Sequence, residues 1–253
     1  MNYTPPLLVV GLLFSLTPLT TEAALTAGTA GGQSVVYSSF SNITWTGDAN
    51  LLGTMESSLG YDVIVNAIIA ASPTIFDTAN AWDTPMKSGY HSVNSSDFSQ
   101  NLGRVDWFGA QAFVTYLNSI NYADSNQWIL PSAGSNPQRD YNQTSSQLGE
   151  LFYNELGGIA TKGMPITPYF TFEQVNGNGY WSGTEYVPDP RAAWDFYTGV
   201  GIQDFGNKNA FIYAWAVSPG NIAAVPVPGA VWLFGAGIIG LLGFRRRTRS
   251  AAI

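Results

Sequence analysis

The sequence predicts an α+β domain, with helices first and an antiparallel sheet late, held between two apolar ends. Three observations predict it. Apolar residues recur at helical spacing in 106–119 and 145–156, they alternate at strand spacing in 192–197 and 210–217, and uncharged apolar runs occupy 7–19 and 231–244. The two periods, 3.6 and 2, each mark one buried face of their element. Helices before strands along the chain is the α+β pattern.

Residues 1–23 read as a secretory signal peptide: an apolar core, then Thr21 and Ala23 as small residues before a cut after Ala23. Residues 1–6 carry no Lys or Arg, so the α-amino group is the only charge there. Residues 24–43, rich in Gly, Ser, Thr and Ala, are expected to be a flexible lead-in, with a short strand at Val35-Val36-Tyr37. The folded domain is placed at 44–220, entered by a strand at 42–45. Segment 61–71 is apolar nearly all round, so periodicity alone does not separate a helix from a buried strand; we assign it to a helix stopped by Ser72-Pro73. Residues 74–104 lack a period and read as loop.

The next helix, 106–119, places Trp107, Ala110, Val114 and Leu117 on one face. In 145–156, Thr144 and Gln147 stand at capping-box spacing. Leu148, Leu151, Phe152 and Leu156 make the apolar stripe there, and Gly157-Gly158 ends it. Strands are expected at 180–186, 192–197 and 210–217. The last puts Phe211, Tyr213, Trp215 and Val217 on one side and Ala210, Ile212, Ala214 and Ala216 on the other. Residues 198–201 read as a hairpin turn.

Residues 221–253 combine Val225-Pro226-Val227-Pro228, an apolar stretch at 229–244 and a basic cluster of Arg245, Arg246, Arg247 and Arg249. An apolar segment stopped by arginines reads as a single membrane helix with its C-terminal end in the cytoplasm. Its uninterrupted part, 231–244, covers about 21 Å as a helix against roughly 30 Å of hydrocarbon, so spanning needs the flanking small residues and arginines that snorkel. The phrase, the Gly-rich helix and the arginine cluster together resemble the PEP-CTERM sorting signal of Gram-negative bacteria. Val227 stands where Glu is usual, which is closer to the VPLPA variant. The resemblance implies recognition by an exosortase at the inner membrane, cutting near the motif, and release of an exported ectodomain to the cell surface or beyond.

A second resemblance rests on four phrases: 127–131 (QWILP), 179–186 (GYWSGTEY), 193–196 (AWDF) and 213–219 (YAWAVSP). They look like the Lcl C-terminal domain family. Ile129 and Ser218 stand where that family often has arginine. The resemblance implies a fold of the C-type-lectin-like or formylglycine-generating-enzyme-like kind, and a surface or matrix protein that binds carbohydrate polymers.

Charge agrees with a non-cytoplasmic domain that avoids nucleic acid. Setting Glu22 and the four terminal arginines aside from seventeen acids and ten bases leaves a net charge near −10. Such a surface lacks the cations that displace counterions from phosphates and does not suit anionic lipid. With no cysteine, disulfides and thiolate chemistry are excluded. His91 is the only histidine; it falls in a polar loop and reads as solvated, and a three-histidine zinc site is impossible.

The densest mix of acids and aromatics is Trp181, Glu185, Asp189, Trp194 and Asp195, which we take as the candidate ligand-binding residues. Exposed indoles offer an apolar face to a sugar, and the acids accept hydroxyl hydrogen bonds or hold calcium through oxygen. Against this stands the ordinary role of strand tryptophans as core. No cofactor is expected, calcium excepted. Two functional classes remain: a non-enzymatic, polysaccharide-binding surface or matrix protein, and a secreted hydrolase acting on extracellular polysaccharide through two of its acids.

Overall fold

A hairpin opens the domain: β1 (Leu25–Ala30) and β2 (Gln33–Ser38) pair in antiparallel register from Leu25↔Ser38 to Ala30↔Gln33. The computed structural model describes residues 25–100, 103–172 and 179–223. The expected signal peptide, the phrase at 225–228, the membrane helix at 229–244 and the arginines at 245–249 lie outside the described residues. The flexible lead-in expected at 24–43 is corrected by this hairpin. Its glycines are conformational specialists: Gly31 and Gly32 both take positive φ, +52° and +76°, as a two-residue turn between twisted strands requires.

β3 (Ile43–Thr46) continues the meander, and the last strand of the domain, β12 (Val217–Pro219), pairs antiparallel to it through Val217↔Trp45. The order of this four-stranded sheet is β1-β2-β3-β12. Strands therefore come first as well as last, which corrects the expected order of helices before strands; the mixed, largely antiparallel α+β architecture stands.

Helix α1 (Leu51–Leu59) starts at Asn50, whose side chain accepts from the Gly53 N–H. It was not anticipated, although Asn50 is an ordinary N-cap residue. Helix α2 (Tyr61–Ala71) has the expected span and stops at Ser72. Residues 74–104 hold more structure than a loop: a two-stranded ribbon of β4 (Thr74–Phe76) and β5 (Tyr90–Ser92), a 3-10 turn at Ser95–Asp97, and β6 (Arg104–Val105). Helix α3 (Trp107–Ser119) is capped by Asp106, which accepts from the Gly109 N–H, and Trp107, Ala110, Val114 and Leu117 are all buried.

After β7 (Asp140–Tyr141), helix α4 (Gln147–Glu150) widens into a π-helical turn over Leu151–Glu155. Its cap is Ser146, accepting from the Gly149 N–H, rather than Thr144; Gln147 reaches instead to the Ser132 N–H at 2.7 Å. The helix face is as expected, with Leu148, Leu151 and Phe152 buried.

The second sheet has the order β6-β11-β8-β9-β10-β7, built on β8 (Gly179–Glu185), β9 (Ala192–Tyr197), β10 (Ile202–Asn207) and β11 (Ile212–Tyr213). The strand expected over 210–217 is divided: Ile212–Tyr213 belongs to this sheet, and the chain then crosses to β12 in the other. From Ile212 onward both its sides are buried, while Phe211 is exposed. Ile212, Ala214 and Ala216 face the core formed with α1–α3. Tyr213, Trp215 and Val217 face a second core with β3, α4 and Phe196. Alternation here means one strand serving two cores rather than a core and solvent. Trp215 is the pivot: its ring lies 4.9 Å from Trp45 and 4.8 Å from Phe170, and its N–H donates to Thr46 O. Among the described residues no helix is long and apolar enough to cross a membrane.

Candidate functional site

The β8–β9 hairpin and the loop before β7 border an open cavity of about 610 Å³. Its floor follows from strand pairing. Trp194 on β9 lies directly opposite Phe205 on β10. Tyr186, just past β8, stacks on Phe205 at 3.8 Å and 7°, and Trp194 meets both rings nearly edge-on at 5.4 and 5.6 Å. The opposite wall is 134–139, fixed at both ends. The Ala133 N–H donates to Thr184 Oγ1 and the Gln203 amide to Gln138 O. Arg139 pairs with Asp204 through Nε at 2.6 Å, and its guanidinium lies 5.8 Å from the Phe205 ring centre. The result is an aromatic floor with a polar rim of Gln138, Arg139, Thr184 and Glu185.

The candidate residues divide across this geometry. Glu185 and Trp194 line the cavity. Trp194 is nearly buried, so it supports the floor through Tyr186 and Phe205 rather than standing free for a sugar. Trp181 is wholly buried, and its N–H donates to Val105 O, so of the two roles weighed for it the structure shows the core one and not the exposed indole. Asp189 is spent on its own turn, in a two-pronged pair with Arg191 at 2.8 and 2.9 Å that holds its carboxyl down at about 2. Asp195, opposite Trp181 and Asp204, is 3% exposed, and its Oδ1 has no hydrogen-bond partner among the described residues. Burial first, and the Asp204 charge second, push it up to about 8, so it is largely protonated at neutral pH. No three acids or histidines among the described residues are grouped to hold a metal ion.

Tyr186, Phe205 and Arg139 were missed. Tyr186 was adjacent to a chosen residue. Phe205 lies on a strand whose hairpin turn was read but whose own span was not, and nothing in the sequence places Arg139 against it.

Glu185 is anchored from behind. Its carboxylate accepts from the Thr78 N–H at 3.2 Å and from Lys208 Nζ at 2.7 Å. Lys208 is wholly buried, shared with Asp77, and its Nζ lies 4.5 Å from the Trp107 ring centre.

His91 also departs from its expected place. It is part of β5, stacked on Phe108 at 4.0 Å, with Nδ1 2.7 Å from Trp82 O and Nε2 3.1 Å from Asp97 Oδ1. Both neighbours are acceptors, which favours the imidazolium, in which both ring nitrogens donate. Burial works against that charge, but Asp97 and the Trp82 carbonyl outweigh it and raise the pKa. Neither nitrogen is left to act as a general base. The adjacent Asp106 carboxyl is pushed up by burial and by Asp97.

Comparison with known proteins gives three findings. The chain is 24% identical over 185 residues to the phage-like element PBSX protein XkdV of Bacillus subtilis (strain 168), covering 72% of this chain and 23% of that protein. It thus spans less than a quarter of that relative's length. No solved structure matches the chain. Residues 224–247 match the PEP-CTERM protein-sorting motif, taking in Val225, Pro226, Val227, Pro228 and Arg245 to Arg247, with Arg249 just beyond. That motif supports an exported protein targeted to an exosortase.

Proposed function

We propose that the domain ahead of the sorting motif is a non-enzymatic polysaccharide-binding module, displayed at the cell surface or in the extracellular matrix after exosortase processing. The aromatic-floored cavity carries this reading. A shallow apolar surface of Tyr186 and Phe205, ringed by amide, hydroxyl and guanidinium groups, suits a sugar, which has apolar faces and a hydroxyl edge. A glycosidase places two carboxyl groups across the scissile bond. Glu185 is the one acid lining the cavity among the described residues, and it is committed to Lys208 and Thr78. That favours binding over hydrolysis. We read the fold as C-type-lectin-like and the domain as Lcl C-terminal-like. Pairing of the late strand β12 with the early strand β3 supports this, as does the burial of Trp128, Trp181, Trp194 and Trp215 from all four phrases.

The test is a glycan array probed with the exported protein, followed by Tyr186→Ala and Arg139→Ala. Binding by wild type that falls at least about tenfold in each variant, the loss expected for one stacking or charged contact, supports the site. Equal binding by all three places the ligand elsewhere. Cleavage of the bound polymer would establish the hydrolase instead.

A further inference from the structure

Behind the cavity sits an arrangement that binding does not use. Lys208 and the Asp77 side chain are both wholly excluded from solvent and in direct contact. They are 131 residues apart in sequence. Glu185 Oε2 lies 2.7 Å from the same Nζ. Trp107 and Phe108 flank the amine, their ring centres 4.5 and 5.7 Å away. Asn80 Nδ2 donates to Asp77 Oδ2 at 2.8 Å, while Asp77 Oδ1 is buried with no hydrogen-bond partner among the described residues. A buried ion pair normally satisfies its remaining lone pairs, since each one left bare costs stability. This one leaves an oxygen bare and places a nucleophile, a carbonyl carbon and a proton acceptor in contact.

We propose that Lys208 and Asp77 condense into an intramolecular isopeptide bond, from Nζ to Cγ, with Glu185 as the proton carrier and one water released. The steps balance without any oxidant or cofactor. In surroundings poor in water an ion pair relaxes toward its neutral form, so a proton passes from the ammonium to Asp77 Oδ2, the oxygen it contacts. Burial pushes the Asp77 carboxyl up, in the direction this step needs. The free amine attacks Cγ, and negative charge develops on Oδ1. Glu185 Oε2, 2.7 Å from Nζ, takes the second proton from the nitrogen and delivers it to the Oδ2 hydroxyl. The Cγ–Oδ2 bond breaks, Oδ1 becomes the amide carbonyl oxygen, and water leaves from the position to which the Asn80 amide donates. Contact enforced by the fold supplies the effective concentration that two such groups lack in solution. The product joins the ribbon β4–β5 region to the end of β10 and closes a long loop of chain. A protein without cysteine would thereby gain the restriction of its unfolded state that a disulfide gives others.

The experiment is mass spectrometry on the full chain, denatured and digested after purification in its folded state. The expected product is a branched peptide joining the segments that contain Asp77 and Lys208, lighter than their sum by one water. Glu185→Gln should slow its formation by about a hundredfold. Recovery of the two peptides unjoined from folded wild type overturns the proposal, and the pair is then an ordinary buried ion pair. A branch from Lys208 to Glu185 overturns the choice of Asp77. Unchanged formation in Glu185→Gln overturns the proton carrier. Sugar binding has no part in this measurement, so its result and that of the glycan array are independent.

Discussion

At the scale of single residues, the buried acids and the one histidine set how the domain responds to pH. Asp195 has a folded pKa of about 8 against an ordinary value of 3.8. The folded state therefore holds its proton more tightly than the unfolded state. Its contribution is fully present below the ordinary value and is lost as pH rises through the folded one. His91 is raised above 6.5, so its contribution too is present at low pH and lost as pH rises past its folded value. Both weaken the domain in the same direction. Urea melts at about pH 5 and pH 8 should show lower stability at the higher pH, and Asp195→Asn should shrink that difference by something on the order of a kcal/mol or more. An unchanged difference would show that Asp195 ionises normally. This acid could be read as a strand residue in the sequence. Its isolation could not, because it depends on Trp181 and Asp204 closing over it from neighbouring strands.

At the scale of elements, local rules held wherever the element's own residues supply the partner. α3 begins at Asp106 because that side chain satisfies the Gly109 N–H, whereas 106–119 was legible from its apolar period. α4 shows the limit. Its apolar stripe was legible, but its cap moved to Ser146 because Gln147 found a tertiary partner at Ser132. Leu151 is fully buried in the second core, so Leu151→Ala should cost about 2–5 kcal/mol. Chemical denaturation of the two proteins measures it directly; a loss under about 1 kcal/mol would mean that the π-helical turn repacks to fill the gap. The hairpin β1–β2 teaches the opposite lesson. Gly-rich composition suggested flexibility, yet Gly31-Gly32 is also one of the residue pairs preferred in a tight two-residue hairpin turn.

At the scale of the whole molecule, the first and last strands of the domain form the two edges of one sheet, β1 at one side and β12, beside β3, at the other. Exposed or not, the motif at 224–247 is a linear signal, readable from sequence order alone. Pro226→Ala with Pro228→Ala should block processing and leave a longer, membrane-associated form, seen as slower migration on a denaturing gel and retention in the membrane fraction. Processing unchanged by both substitutions would mean that the phrase is not what the exosortase reads.

The sequence by itself determined the α+β class, helix α3, the strand at 192–197 and the sorting motif. Each of these is written in contiguous residues: a period, a cap, or a phrase in fixed order. Tertiary structure alone decided the rest. It set Trp181 in the core and made Trp194 a support rather than a platform. It brought Arg139 over Phe205, and it joined Lys208 to Asp77 across 131 residues. Those outcomes depend on which strand lies beside which. Side chains distant in sequence become neighbours only through sheet order, and no periodicity within one strand encodes its partner.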